Sequence, residues 1–208
     1  MPKNNMPDEA RILFAGEIRR RLRTLVPTPA SPARPAAVLV PVYHHAGEWH
    51  ILLTERTHTV AEHRGQVAFP GGKADPGDRD RIETALRETE EEIGMPAGHV
   101  EVLGVLPDFV TITDYHVTPV VGIIPWPAEL RLSAAELSEA FGVPLRWLAD
   151  PAHLRVEYWN IPGRPDETPV YFYDYGNHTI WGATARMLHA FVELAKPLLE
   201  ASFPERPE

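Results

Sequence analysis

Three glutamates, Glu88, Glu91 and Glu92, stand directly after Arg87 in a stretch with the composition of a helix. An α-helix turns by about 100° per residue, so side chains at positions i, i+3 and i+4 share one face. Negative charges on one face repel one another, and a hard divalent cation with oxygen ligands offsets that repulsion. The spacing therefore predicts a cation site, with an ordinary solvated acidic face as the alternative.

A pair of glycines, Gly71 and Gly72, precedes this helix. Glycine has no side chain, so the backbone of this loop can approach a phosphate closely. The helix is predicted over residues 80–93 and ends at Gly94, a residue type that is common directly after helices. Glu90 is expected to point to solvent. The residues expected on the buried face are Ile82, Leu86 and Ile93.

Together these residues resemble the Nudix box, in which Gly, five residues, Glu and seven residues precede Arg-Glu-aliphatic-x-Glu-Glu-x-Gly-aliphatic. The positions that match are Gly72, Arg87, Glu88, Glu91, Glu92, Gly94 and Met95. Asp78 occupies the place of the first Glu, eight residues rather than seven separate it from Arg87, and Thr89 replaces an aliphatic residue. The resemblance implies an α/β protein, a Nudix-type α/β/α sandwich with a mixed sheet.

The resemblance to the Nudix box also implies a reaction, the hydrolysis of a nucleoside diphosphate linked to another group. Glu88 and Glu92 would be the core ligands of Mg²⁺ or Mn²⁺, with Glu91 and the Gly72 carbonyl completing the set. Arg87 would orient a box carboxylate through an ion pair. The catalytic base is either a box glutamate or a loop carboxylate, Glu136 or Glu139, and the role of Asp78 stays open.

A second set of residues lies upstream of the box and resembles the signature of Nudix enzymes that hydrolyse coenzyme A. The matching positions are Leu52, Leu53, Thr54, Arg56, His63, Gly65, Val67 and Phe69–Gly72. Thr57 stands in for a serine, and Ala61 falls where a basic residue is common. Segments 136–145 and 180–185 extend the likeness. It implies cleavage of coenzyme A or acyl-CoA to 4′-phosphopantetheine, or its acyl form, and adenosine 3′,5′-bisphosphate.

The expected substrate-binding residues are Arg56, His63, Gln66, Gly71 and Gly72. A guanidinium can hold a phosphate by two parallel hydrogen bonds, so Arg56 is expected at the 3′-phosphate of coenzyme A. The alternative for Arg56 is a surface ion pair with Glu55 or Glu62. The alternative for His63 is a structural role in which its side chain is hydrogen-bonded within the protein.

Two other functions are compatible with the same residues. One is a Nudix hydrolase for another nucleoside diphosphate derivative, such as ADP-ribose or a dinucleotide. The other is a nucleotide-binding module without catalysis, against which the three retained glutamates argue.

The elements that must position these residues follow from hydrophobic periodicity. Helices are predicted at 8–26, 80–93 and 182–200, and loops at 57–72 and 107–116, with a turn at Pro144. Predicted strands are 37–43, 49–54, 100–106, 117–124, 137–143, 155–159 and 170–175. We divide the chain into an N-terminal helix with a Pro-rich linker (1–35), a Nudix hydrolase domain (36–200) and a C-terminal tail (201–208).

Composition narrows the class of protein. The 208 residues are 44% hydrophobic and contain no cysteine, which excludes disulfides, thiolate metal sites and a cysteine nucleophile. A net charge of −9 argues against broad nucleic-acid binding, which depends on Lys and Arg. No apolar run approaches the roughly 20 residues that cross a bilayer. We expect a cytoplasmic protein whose partner is a small nucleotide substrate. Neither nucleic acid nor a membrane is expected as a partner, and the sequence is compatible with a homodimer.

Overall fold

The computed structural model describes residues 8–26, 28, 31–57, 65–161 and 166–201. Its centre is a mixed sheet of eight strands, in which the first and seventh strands pair in parallel and the others antiparallel. The strands are β1 (Arg34–His45), β2 (Glu48–Arg56), β3 (Val67–Ala68), β4 (Gly71–Lys73), β5 (Glu101–Val105), β6 (Phe109–Val110), β7 (Tyr115–Ile123) and β8 (Leu137–Pro144).

Strand β1 is the axis of this sheet because it pairs along both edges. One edge pairs with β7. The other edge is shared, with β4 paired opposite residues 36–38 and β2 opposite residues 42–45. The sheet therefore divides beside β1, and this division brings the end of β2 and the Gly71–Gly72 backbone to the same region of the molecule.

A smaller antiparallel sheet follows in the chain, made of β9 (Leu154–Trp159), β10 (Thr168–Tyr175) and β11 (His178–Trp181). The part of the chain that the structure describes also contains four α-helices: α1 (Asp8–Leu22), α2 (Arg81–Ile93), α3 (Leu145–Ala149) and α4 (Gly182–Ala201). Among the described residues, no helix is both long and apolar enough to span a membrane.

Alternate residues of β1 enter two separate cores, as the period of two in a strand requires. Val40 and Val42 belong to the core that also contains Ile18 of α1 and Phe191 of α4. Leu39 and its neighbours on the opposite face pack against α2. Helices thus cover both faces of a mixed sheet, and the predicted α/β/α sandwich is confirmed.

Some predicted elements differ from those in the structure. Strand β11 was not anticipated, and β6 lies within the predicted loop 107–116. Pro144 leads directly into α3, because a proline with a φ of −61° can precede a first helical residue as well as form a turn. The first helix ends at Leu22 rather than near Val26, whose side chain is exposed.

Candidate active site

Helix α2 has clear signals at both ends. The carboxylate of Asp80 accepts a hydrogen bond from the Glu83 backbone N–H at 2.8 Å, which caps the first turn. Gly94 adopts the left-handed conformation and donates its N–H to the Glu90 carbonyl at 3.0 Å. Thr89 is fully buried, and its hydroxyl donates to the Ala85 carbonyl at 2.6 Å, which explains how a polar residue fits there.

The glutamates of α2 differ strongly in exposure. Glu92 is 4% exposed, Glu88 is half-buried, and the Glu91 side chain is 60% exposed. The Gly71 backbone N–H donates to Oε2 of Glu92 at 3.1 Å. A Cβ atom at Gly72 would lie 2.5 Å from the Glu88 carboxylate. Only glycine allows the backbone of β4 to approach the glutamates this closely.

Burial perturbs the titration of the two inner glutamates. Desolvation raises the pKa of Glu92 to about 7, and the nearby Glu136 charge adds to this effect. Desolvation also raises the pKa of Glu88. An adjacent cation favours the charged form of a carboxylate whose pKa is raised by burial. Two such carboxylates beside a glycine backbone fit a hard divalent cation with oxygen ligands.

The partly exposed Arg87 forms an ion pair with the nearly buried side chain of Asp78. Arg87 Nε lies 3.0 Å from Oδ1 of Asp78, and Nη2 lies 3.2 Å from Oδ2. The same guanidinium donates to the Lys73 carbonyl at 3.0 Å and lies 2.9 Å from Oε1 of Glu88. The hydrogen bonds from Arg87 hold the pKa of Asp78 well below its usual range. Asp78 thus anchors the arginine that contacts the glutamate cluster.

Arg56, at the end of β2, lies inside this cluster. Its guanidinium is 3.8 Å from Oε1 of Glu92 and 4.0 Å from Oε2 of Glu136. The alternative partner Glu55 instead pairs with His178. Arg56 Nε is buried without a hydrogen-bond partner among the described residues. A basic side chain with an unused donor therefore stands beside the candidate metal ligands.

Glu139, the other loop candidate for a base, lies in a different group. Its Oε2 is 3.6 Å from Nε2 of His178, while Nδ1 of His178 is 2.8 Å from Oε2 of Glu55. These three residues offer donor atoms within 4.8 Å of one another and could hold a metal ion. The two nitrogens of His178 each face a different carboxylate, so these three side chains also have partners in one another.

The structure also shows where the remaining predicted residues lie. His63, with Ala61 and Glu62, falls outside the described residues. Gln66 accepts the Arg56 backbone N–H at its carbonyl oxygen, 3.0 Å away, and lines a cavity of about 360 Å³. This cavity was not predicted from the sequence. The feature of the sequence that pointed to it was the likeness of segment 180–185 to coenzyme A-hydrolysing enzymes. In the structure the Thr184 hydroxyl of this segment donates to the Val67 carbonyl at 3.0 Å.

Comparison with known proteins agrees with this geometry. A family model described as a NUDIX domain matches residues 33–162. The chain therefore belongs to the Nudix family, whose members generally use divalent metal ions.

Individual relatives define the class further. An uncharacterized Nudix hydrolase, NudL, of Photorhabdus laumondii is 42% identical over 160 residues, which cover 77% of this chain and 84% of that protein. The NudL protein of Escherichia coli K12 is 44% identical over 156 residues, covering 74% and 79%. A crystal structure of a Nudix hydrolase from Alicyclobacillus acidocaldarius is 26% identical, covers 58% of this chain and 83% of that one, and has a TM-score of 0.48. The protein is a Nudix hydrolase acting on nucleoside diphosphate derivatives.

Proposed function

We propose that the protein hydrolyses the diphosphate linkage of coenzyme A or acyl-CoA, giving 4′-phosphopantetheine, or its acyl form, and adenosine 3′,5′-bisphosphate. The observation that carries this proposal is the convergence of the three segments that resemble coenzyme A-hydrolysing enzymes. The Thr57 backbone N–H donates to the Glu136 carbonyl at 2.8 Å, and Gln66 pairs with Arg56. Thr184, from the third segment, is bonded to Val67, the residue after Gln66.

Glu88 and Glu92 would hold Mg²⁺ or Mn²⁺, with Glu91 and the Gly72 carbonyl as the remaining protein ligands. A cation bound there supplies charge neutralisation at the diphosphate and makes bound water more acidic. Arg87 keeps Glu88 in position through their 2.9 Å ion pair.

Arg56 would bind the diphosphate rather than the 3′-phosphate. It lies 3.8 Å from Glu92, so its charge is next to the candidate metal ligands. His63, Gln66, Gly71 and Gly72 are the other proposed substrate contacts, and the Gly71 N–H donates to Oε2 of Glu92.

Substrate choice is tested with a panel of coenzyme A, octanoyl-CoA, dephospho-CoA, ADP-ribose and a diadenosine polyphosphate, each with Mg²⁺ or Mn²⁺. We expect the highest kcat/KM on the coenzyme A compounds. Hydrolysis in ¹⁸O-labelled water should place the label on one phosphate product. Glu92→Gln should lower activity by orders of magnitude and the exposed Glu90→Gln should not. Preference for ADP-ribose or the dinucleotide would overturn the proposed substrate.

The position of Arg56 gives a separate prediction. Loss of a charge-assisted contact costs about 1.5–3 kcal/mol, or roughly 10- to 150-fold in kcat/KM. Arg56→Ala should therefore weaken turnover of coenzyme A and of dephospho-CoA, which lacks the 3′-phosphate, by the same factor. A loss of kcat/KM on coenzyme A alone would instead indicate that Arg56 binds the 3′-phosphate.

A further inference from the structure

Two glutamates face each other across a strand pair of the central sheet, away from the candidate active site. Glu55 of β2 is paired directly with Glu139 of β8 in the antiparallel register. Arg56, the next residue, contacts Glu92 of α2. Glu55 contacts His178 at the start of β11 instead, so it leaves the opposite face of β2. Like charges directly opposite in a sheet destabilise the strand pair, so a cation beside the two glutamates is stabilising.

The hydrogen bond between His178 and Glu55 determines which ring nitrogen is available. Nδ1 of His178 lies 2.8 Å from Oε2 of Glu55, and because a carboxylate only accepts hydrogen bonds, Nδ1 carries the proton. In the neutral ring, Nε2 then offers its lone pair. A histidine that binds a metal commonly donates its other N–H to a carboxylate in this way.

Nε2 of His178 faces the second glutamate at a distance that suits a shared ion. It lies 3.6 Å from Oε2 of Glu139, which is beyond the roughly 2.7–3.2 Å of an ordinary N–H···O hydrogen bond. Bonds of about 2.0–2.2 Å from a tetrahedral Zn²⁺ to nitrogen and oxygen place the two ligand atoms roughly 3.3–3.6 Å apart. The observed separation therefore fits two ligands of one ion better than a direct hydrogen bond.

The imidazole of His178 is held in this orientation by packing. The ring of Phe141 stacks on it, with ring centres 3.8 Å apart and planes 8° apart. Phe141 stands two residues after Glu139 in β8, so both side chains lie on the same face of the strand. The His178 side chain is 15% exposed and that of Glu139 is 54% exposed, which leaves access for water molecules as further ligands.

We propose that His178 and Glu139 bind Zn²⁺, with Glu55 orienting the imidazole through Nδ1. An imidazole nitrogen together with a carboxylate oxygen suits zinc, whereas Mg²⁺ prefers oxygen ligands, as in the glutamate cluster of α2. The ion joins β11 of the small sheet to β8 of the central sheet. This site is separate from the candidate active site, and the proposal does not depend on the identity of the substrate.

The test is a calorimetric titration of Zn²⁺ into the parent protein and five variants. His178→Gln and Glu139→Gln each remove a ligand atom and should abolish one Zn²⁺ site per chain. Glu55→Ala should weaken this site by about 10- to 100-fold, the usual cost of losing the carboxylate behind a ligating histidine. His99→Gln, at an exposed position, and Glu92→Gln, in the α2 cluster, should both keep the site.

Thermal unfolding gives a second measurement, which an ion pair without a metal would not change. With Mg²⁺ in excess, added Zn²⁺ should raise the Tm of the parent protein and of His99→Gln by more than that of His178→Gln or Glu139→Gln. Because the Glu139 side chain is 54% exposed, Glu139→Gln keeps the proposal testable if His178→Gln does not fold.

The possible results separate the proposed site from other zinc sites. Equal zinc stoichiometry and affinity in the parent protein, His178→Gln and Glu139→Gln overturn the site. Loss of the site in Glu92→Gln overturns it in favour of the α2 cluster, and an equal loss in His99→Gln overturns it in favour of surface histidines. An unchanged affinity in Glu55→Ala overturns the orienting role of Glu55. A site that Mg²⁺ fills as tightly as Zn²⁺ overturns the choice of ion.

Discussion

Glu136 and Glu139 are three residues apart in the sequence, but their side chains have different neighbours. Glu136 lies 4.0 Å from Arg56, which in turn contacts Glu92, whereas Glu139 lies 3.6 Å from His178. The two residues therefore form a matched pair for identifying the catalytic base. A base supplied by a loop must reach a water molecule beside the metal ligands, and only Glu136 of this pair lies in that cluster.

We accordingly predict that Glu136→Gln lowers kcat by about 10²–10⁴-fold, the usual contribution of a general base. Glu139→Gln should leave kcat nearly unchanged. The measurement is kcat on coenzyme A across pH for both variants and the parent protein. A small effect of Glu136→Gln would assign the base to a glutamate of the box.

The raised pKa of Glu92 makes the stability of the metal-free protein depend on pH. Burial stabilises the protonated form, so the folded state binds this proton more tightly than the unfolded state does. Stability should therefore fall as pH rises from about 4.5, the ordinary value, through about 7. The loss is at most on the order of 3 kcal/mol.

We predict that Glu92→Gln raises the Tm of the metal-free protein at pH 8 and flattens its dependence on pH. Thermal unfolding between pH 5 and pH 8 with a chelator present measures this effect. Adding Mg²⁺ or Mn²⁺ at pH 8 should stabilise the parent protein more than the variant, because only the parent has the full ligand set. Glu90→Gln, at an exposed position outside the proposed ligand set, is the control. A lower Tm for Glu92→Gln at pH 8 would contradict the assignment.

At the scale of elements, the Asp78–Arg87 pair joins the loop before α2 to the helix itself. Asp78 also accepts hydrogen bonds from the Asp75 backbone N–H at 2.9 Å and the Thr84 hydroxyl at 2.8 Å. Asp78 has a shorter side chain than the glutamate of the box pattern, and one extra residue separates it from Arg87. With these two differences it still contacts Arg87, Asp75 and Thr84. Arg87 also donates to the carbonyl of Lys73 in β4, so the pair fixes α2 relative to β4. The proposed metal ligands lie on these two elements.

We predict that Asp78→Asn and Arg87→Gln each lower the free energy of unfolding by about 1.5–3 kcal/mol, because each removes the charge-assisted bonds between Arg87 and the nearly buried Asp78 side chain. Together they should cost less than their sum, by about 0.5–3 kcal/mol. Urea unfolding of both variants and the double variant measures the difference. Arg79→Gln, which breaks the exposed pair with Glu83, should hardly shift the midpoint. Strict additivity would contradict the coupling.

The elements also show what could be predicted from sequence. Helix α2 and its glutamate face were predictable because helical spacing, Asp80 and Gly94 act within a few residues. The contact between Arg56 and Glu136 was not predictable from the sequence. The two residues are 80 positions apart, and only the pairing of β2 with β8 brings them near each other. The cavity was missed for the same reason, since its wall combines β6, β9 and β11.

At the scale of the whole molecule, α1 belongs to the core although it lies before the matched Nudix residues 33–162. Phe14 stacks on Trp49 of β2 with ring centres 4.0 Å apart, and Ile18 is fully buried. Arg11 and Arg19 form ion pairs with Glu101 of β5. The helix therefore seals one face of the central sheet, and its removal would expose that face to water.

Ile18 and Ile12 test this arrangement within one helix, because Ile12 is 67% exposed. We predict that Ile18→Ala lowers the free energy of unfolding by about 2–5 kcal/mol through lost burial and the cavity left behind. Ile12→Ala should have little effect. Calorimetry should show a single transition that shifts downward by about 2–4 °C per kcal/mol. A separate early transition, or equal effects of the two substitutions, would instead make α1 an independent appendage that contributes nothing to the stability of the catalytic domain.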